Sequence, residues 1–245
     1  MGIAVMPLDL DALTSTLPAS RAAFYCAAPS ANGLDDGRIA RALRHLPPPK
    51  EGLLYLSTTG VYGDCQGRWI TESETLKPKT ERGLRRLAAE AEVQLYANAT
   101  GSKTVTLRVP GIYGPGRLPV QRLRAGTPIL RREDAPFSNR IHADDLAAAA
   151  VLALRAGEVG AAYNVSDGAP TTMTDYFLQC AEFLGLPAPP QISLAEAQTQ
   201  LSATLLSYFE ESKRLDISRL KALGFVPQYP NLQQGLLVPG KEQPR

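Results

Sequence analysis

Apolar positions along the chain recur with two alternating periods. GIAVMPLDL (residues 2–10) reads as a short strand, and ASRAAFYCAAPS (19–30), rich in small and aromatic residues, as another. GRIARALRHL places Ile39, Leu43 and Leu46 on one helical face. EGLLYLSTTGVYGD follows, and its unbroken apolar run from Leu53 to Leu56 suits a central parallel strand covered on both faces. Leu84, Leu87, Ala88 and Ala91 stand at i, i+3, i+4 and i+7, which predicts a helix over 80–94 laid on that sheet. SKTVTLRVP is a β-branched strand stopped by proline and the glycines of GIYGPG. HADDLAAAAVLALRAG predicts a helix capped by Asp144 or Asp145 and ended by Gly157. AAYNVSDG is a strand again. TTMTDYFLQCAEFLGLP is a helix with Thr172 and Asp175 as a box-like pair at its start and Gly185 and Pro187 as its stop.

Strand and helix thus alternate at the spacing of an α/β fold with a doubly wound parallel sheet. Residues 1–160 are expected to form its core, and 161–240 the remaining strand and a smaller C-terminal lobe. The lobe's proline-rich character sets in at LPAPPQISL, with a short helix expected around LSYFEESKRLD and a frayed tail at PGKEQPR.

Composition narrows the function classes. With 245 residues, 44% hydrophobic and 20% charged, the chain can bury a sizeable core. A formal charge of only +2 lacks the field of a dedicated nucleic-acid binder, so no nucleic-acid partner is expected. Cys26, Cys65 and Cys180 lie far apart, with only two histidines, so neither a metal site nor a disulfide framework is expected. No apolar run reaches the roughly 18 residues of a membrane span, and the opening segment has no basic n-region. A reducing cytoplasm is the expected location, and the oligomeric state is left open.

The chemistry gathers at LSTTG. In open α/β sheets the ligand crevice lies at the carboxyl ends of the strands, and Ser57, Thr58 and Thr59 fall there. A hydroxyl there can donate to a substrate carbonyl or oxyanion, or it can satisfy backbone groups where the strand turns.

LLYLSTTGVYGD resembles the Ser/Thr-bearing strand of the extended short-chain dehydrogenases/reductases, the NAD-dependent epimerase/dehydratase family. YCAAPS, LRVPGIYGPGR, FSNRIHADDLAAA, and YNVSDGAPTTMTDYF followed by SKRLDISRLKALGF are similar to that family in its order. The resemblance covers nearly the whole chain and implies a Rossmann-like fold, NAD or NADP as cofactor, and a small carbonyl or nucleotide-sugar substrate. Thr58, four residues before Tyr62, matches the family's catalytic Ser/Thr. Ala27, Ala28 and Pro29 match its cofactor-binding turn, and Asp9 and Leu10 the position near the adenine.

Two departures matter. The family's proton-exchanging tyrosine and the lysine four residues after it are matched here by Arg82 and Arg86, and a guanidinium stays charged near neutral pH. One helical turn apart, the two can present paired cations to a phosphate or carboxylate, or lie on a solvated face with Arg86 paired to Glu90. Tyr62 and Tyr113 are conceivable substitute acids or substrate contacts, each in a turn that resembles a structural motif of the family. The second departure is the glycine-rich turn that cradles the pyrophosphate: between Gly2 and Gly33 there is no glycine. By resemblance GIAVMPLDL matches the third strand, so the chain is expected to begin after the first βαβ unit. A start recorded too late, a natural short form and a different binding mode all account for that. The first is preferred, because losing a strand exposes an edge of an apolar sheet.

Six arginines, Arg117, Arg122, Arg124, Arg131, Arg132 and Arg140, follow the GIYGPG turn, a region that in extended family members contributes to the substrate pocket. They suit an anionic substrate, or form a solvated loop partly neutralised by Glu133 and Asp134. His142 reads as a packed residue, His45 as a helix C-terminus, Trp69 as pocket lining or core cover, and Tyr208 and Phe209 as lobe core. The functional expectation is an atypical oxidoreductase or epimerase with Thr58 orienting the reacting oxygen. The alternatives are a catalytically silent nucleotide-binding or regulatory protein, or a fragment that does not bind the cofactor.

Overall fold

The structure is a computed structural model in which residues 4–30, 33–207 and 209–237 are described. Four strands form the central sheet: β1 (Ala22–Tyr25), β2 (Gly52–Thr58), β3 (Thr104–Val109) and β4 (Ala161–Asn164), in spatial order β1-β2-β3-β4 and parallel throughout. The α-helices that cover it are α1 (Gly37–His45), α2 (Glu81–Thr100) and α3 (Ala143–Ala156). A fourth, α4 (Met173–Phe183), packs in a separate cluster.

The period of two in β2 explains the layering. Leu53 and Tyr55 point to one face and meet Ile39 and Leu43 of α1 and Ala89, Val93 and Tyr96 of α2. Leu54 and Leu56 point to the other, with Val105 and Leu107 of β3 and the alanine stripe Ala149, Ala150 and Ala153 of α3. The sheet is therefore buried on both faces, as the apolar run of β2 predicts. Tyr113, Leu123, Ile129, Phe177 and Leu236 build a separate cluster around α4. Among the described residues no strand pairs with β1 on the side away from β2, and Phe24 there is 44% exposed. No helix among them is long and apolar enough to cross a membrane.

Four expectations are corrected. The described part of GIAVMPLDL forms no strand. Pro7 has no N–H to give a ladder, and the Asp9 carboxylate takes the Asp11 N–H at 2.8 Å and turns the chain; Gly2 and Ile3 lie outside the described residues. Among its described residues LSYFEESKRLD forms no helix beyond Leu206, where the short helix Ala203–Leu206 ends, and Arg214–Leu215 runs parallel to Trp69–Ile70. Tyr208 and the PGKEQPR tail lie outside the described residues. The cap of α3 is neither aspartate but His142, whose Nδ1 accepts the Asp144 N–H at 3.2 Å. Asp145 is engaged elsewhere, its carboxylate accepting the N–H groups of Gln228 and Tyr229.

The last correction concerns α2, which buries Gly83, Ala89, Val93, Tyr96 and Ala97 and leaves the expected Ala91 exposed. The helix is rotated because Arg86 and Glu90 are satisfied inward by the sheet. Gly83 marks its closest approach: a Cβ there would lie 2.9 Å from the Gly60 carbonyl and 2.8 Å from Pro78. Gly83→Ala is expected to lower stability by about 1–3 kcal/mol despite alanine's better helix propensity, read as a lower denaturant midpoint at unchanged slope.

Candidate functional site

Thr58 ends β2, and the chain then tightens into the 3-10 turn Thr59–Tyr62. Oγ1 of Thr58 accepts the Gly60 N–H at 3.3 Å, so the hydroxyl does cap the turn. That bond uses a lone pair and leaves the O–H to donate. Ser57 is buried instead, donating to Oε1 of Glu90. Thr58 and Thr59 line a cleft of about 380 Å³, whose charged walls are Arg82, Arg140, Lys213 and Glu211. Three cations face one carboxylate, so the cleft favours an anion.

Arg140, like Lys213, is a buried cation, 8% exposed. Its guanidinium lies 4.1 Å from the Tyr176 ring centroid and donates to the Asn139 carbonyl at 2.8 Å and to the thioether of Met173 at 3.2 Å. Burial pulls its pKa below the ordinary arginine value. Gly111 makes its room, for a Cβ there would stand 2.7 Å from Nη1. Next to it in the chain fold is Asp167, whose N–H donates to the Arg140 carbonyl at 2.8 Å.

Burial pushes the Asp167 carboxyl up to about 7, partly relieved by the Ala169 N–H and by the charge of Arg140. Between an unfolded value of about 4 and that pKa, the folded chain holds a proton the unfolded chain has released. This group's contribution therefore falls as pH rises from about 4 to about 7, by at most about 1.4 kcal/mol per pH unit. Asp167→Asn is expected to remove that fall, measured as the difference between the two proteins' unfolding free energies across the interval.

The other sequence-derived candidates are distributed as follows. Arg82 lines the cleft, and Arg86 does not. The expected Arg86–Glu90 pair is replaced: Nη1 of Arg86 donates to the Tyr55 hydroxyl at 3.1 Å and to the Leu56 and Ala27 carbonyls at 3.2 and 3.4 Å, tying the ends of β1 and β2 together. Tyr62 lies outside the cleft, buried, its hydroxyl donating to Asn164 Oδ1 at 2.7 Å and accepting from Arg108, and burial pushes its pKa up to about 12. Tyr113 is likewise buried, bonded to the Asn231 carbonyl and packed edge-on against His142, with its pKa raised by burial.

Ala27, Ala28 and Pro29 follow β1, and Asp9 and Leu10 are brought beside them by α1. Arg38 donates to the Ala28 carbonyl and pairs with Asp11, while Arg41 donates to the Leu10 carbonyl. Of the six arginines, only Arg140 reaches the cleft. Arg131 and Arg132 pair with Glu196 and Asp175, in place of the expected Glu133 and Asp134. Arg122 stacks on Phe177, and Arg117 lines an apolar groove beside Phe24 and Cys26. Trp69 is exposed under Arg214. The sequence reading missed Glu211 and Lys213, although SKRLD contains the lysine: reading that stretch as helix gave no reason to bring it to the hydroxyl turn.

A parallel sheet with a hydroxyl at the carboxyl end of its central strand invites comparison with known proteins. Residues 30–166 match the model of the NAD dependent epimerase/dehydratase family. The chain belongs to this family. It is 33% identical over 229 residues to Protein YeeZ of Escherichia coli (strain K12), covering 91% of this chain and 73% of that protein. A functionally unknown conserved protein from Silicibacter pomeroyi, of known structure, is 31% identical, with a TM-score of 0.73 over 94% of this chain and 78% of that one. The structure of MoeE5 in complex with UDP-glucose and NAD is 20% identical, with a TM-score of 0.71 over 94% and 82% of the two chains, and shows the shared fold.

The family is NAD-dependent, and such a cofactor supplies hydride transfer when bound. The fit of this chain's residues to it is divided. Arg86 joins the turn after β1 to β2 near its hydroxyl end, at the carboxyl ends of the strands, where ligands of such sheets bind. The pyrophosphate end needs a glycine turn opening a helix, and the described glycines between β1 and α1 are Gly33, at φ 80°, and Gly37, the first residue of α1, both set beyond the turn Ala27–Pro29.

Proposed function

We propose that this protein is an atypical NAD(P)-dependent oxidoreductase or epimerase acting on an anionic substrate of the nucleotide-sugar kind. Thr58 orients the reacting oxygen, and Arg140, with Arg82, receives the negative charge. The observation that carries this reading is the position of Thr58: its hydroxyl keeps a donor on the wall of a cleft whose other charged groups are mainly cations. Ala27, Ala28 and Pro29, with Asp9 and Leu10, are the residues proposed to lie along the cofactor. A second reading, a catalytically silent nucleotide-binding protein, draws support from Arg82 and Arg86 in place of the tyrosine and lysine.

A panel of nucleotide sugars and small carbonyl compounds, assayed with NAD(H) and NADP(H), separates the two. Turnover on any member is expected to fall roughly tenfold in Thr58→Val, the worth of one neutral hydrogen bond. Unchanged turnover removes Thr58 from the mechanism, and no turnover across the panel favours the silent reading.

A further inference from the structure

One pair of cleft side chains has a feature that neither packing nor ion pairing accounts for. Lys213 and Glu211 are 6% and 15% exposed. Nζ of Lys213 donates to Oε2 of Glu211 at 2.6 Å and to the Thr59 carbonyl at 3.3 Å, so the ammonium stands between the carboxylate and the residue that follows Thr58. The backbone beneath the pair is held from two sides. Ser212 donates its N–H to Asp64 at 2.9 Å, and its carbonyl accepts from Cys65 and Gly67 at 3.1 and 2.9 Å. The side chains are thus presented on a fixed segment.

The second carboxylate oxygen, Oε1, is buried and has no hydrogen-bond partner among the described residues. A carboxylate oxygen withdrawn from water without a donor is costly, and folded proteins seldom leave one so. Because Glu211 lines the cleft, a group that enters it can supply the donor. A cationic ligand is disfavoured, because Arg82, Arg140 and Lys213 already outnumber the single carboxylate. A neutral O–H on an otherwise anionic molecule fits both demands.

We propose that Oε1 of Glu211 accepts a hydrogen bond from a substrate hydroxyl, with Lys213 as the positioning residue that holds the carboxylate in place. The inference rests on the cleft being the substrate site and adds the chemistry of its second wall: a sugar or polyol hydroxyl, recognised by a residue with no counterpart in the motifs that the sequence supplied. Guanidinium groups at 82 and 86 cannot take this acceptor role.

Calorimetric titration of the 245-residue protein with UDP-glucose and with UDP tests it. The wild type should bind UDP-glucose at least about tenfold more tightly than UDP, the effect of one charge-assisted hydrogen bond. Glu211→Gln should reduce that preference severalfold while leaving UDP affinity unchanged. Glu211→Leu combined with Lys213→Met should abolish the preference at an unchanged or higher melting temperature, since no orphan charge remains. A wild type with no preference, variants that lose both ligands equally, or a double variant that melts lower yet keeps the preference would overturn the proposal. So would binding of neither nucleotide; if NADH binds in that case, the cofactor reading stands and only this inference falls.

Discussion

Arg108→Met should cost about 3–5 kcal/mol of folding stability, the usual penalty for leaving one member of a buried ion pair alone. Arg108 on β3 and Glu90 on α2 are 8% and 12% exposed and meet in a two-pronged contact, with Nη2 to Oε2 at 2.9 Å and Nε to Oε1 at 3.2 Å. The guanidinium also donates to the Tyr62 hydroxyl at 3.0 Å and to the Glu72 carbonyl at 3.2 Å. Burial works against its charge, yet the bonds and charge of Glu90 hold its pKa above the ordinary value. Removing the arginine strips a donor from Glu90, Tyr62 and Glu72 at once, and among the described residues Ser57 alone still donates to Glu90. Equilibrium denaturation is the check, and Arg108→Met with Glu90→Met should recover much of the loss, because no unpaired charge is then buried.

Arg140→Met should have the opposite signature: affinity for UDP lower by roughly 100-fold, with stability unchanged or raised. Two charge-assisted hydrogen bonds to a phosphate are each worth about 1.5–3 kcal/mol, which sets that factor as a floor. Stability is spared because this cation, unlike Arg108, has no carboxylate in contact among the described residues: its partners there are a carbonyl, a thioether and the Tyr176 ring. Methionine keeps the apolar stem against Tyr176 and removes an expensive buried charge. Asp167 then loses the cation that partly held its pKa down, and stays protonated to higher pH. Calorimetry for UDP and a thermal melt on the same preparation check both halves. A fall in melting temperature with UDP binding intact would assign Arg140 a purely structural role.

What was legible in the sequence follows from range. The run Leu53–Leu56 announces itself because a strand buried on both faces is largely apolar, and Thr104–Val109 by its β-branched residues, although Thr106 and Arg108 are buried in it too. Thr172 with Asp175 is equally plain, since a cap is local chemistry. The rotation of α2 was not legible: Arg86 and Glu90 look like solvent-facing charges until β1, β2 and β3 supply Ala27, Leu56, Ser57 and Arg108 as partners. In the site, Thr58 and Arg140 could be picked out because each sits in a motif at a strand end. Glu211 and Lys213 could not, because what gives them meaning is a contact with Thr59 across 154 residues. His142 showed the same limit at a cap, where a short polar residue was expected and a ring nitrogen serves.

The central proposal is that this crevice takes a nicotinamide dinucleotide. Calorimetric titration of the 245-residue protein with NADH and NADPH tests it most directly. Saturable binding of one of them at micromolar concentration is the predicted result. No detectable binding of either would contradict the claim, and leave the fold as a family scaffold without its cofactor.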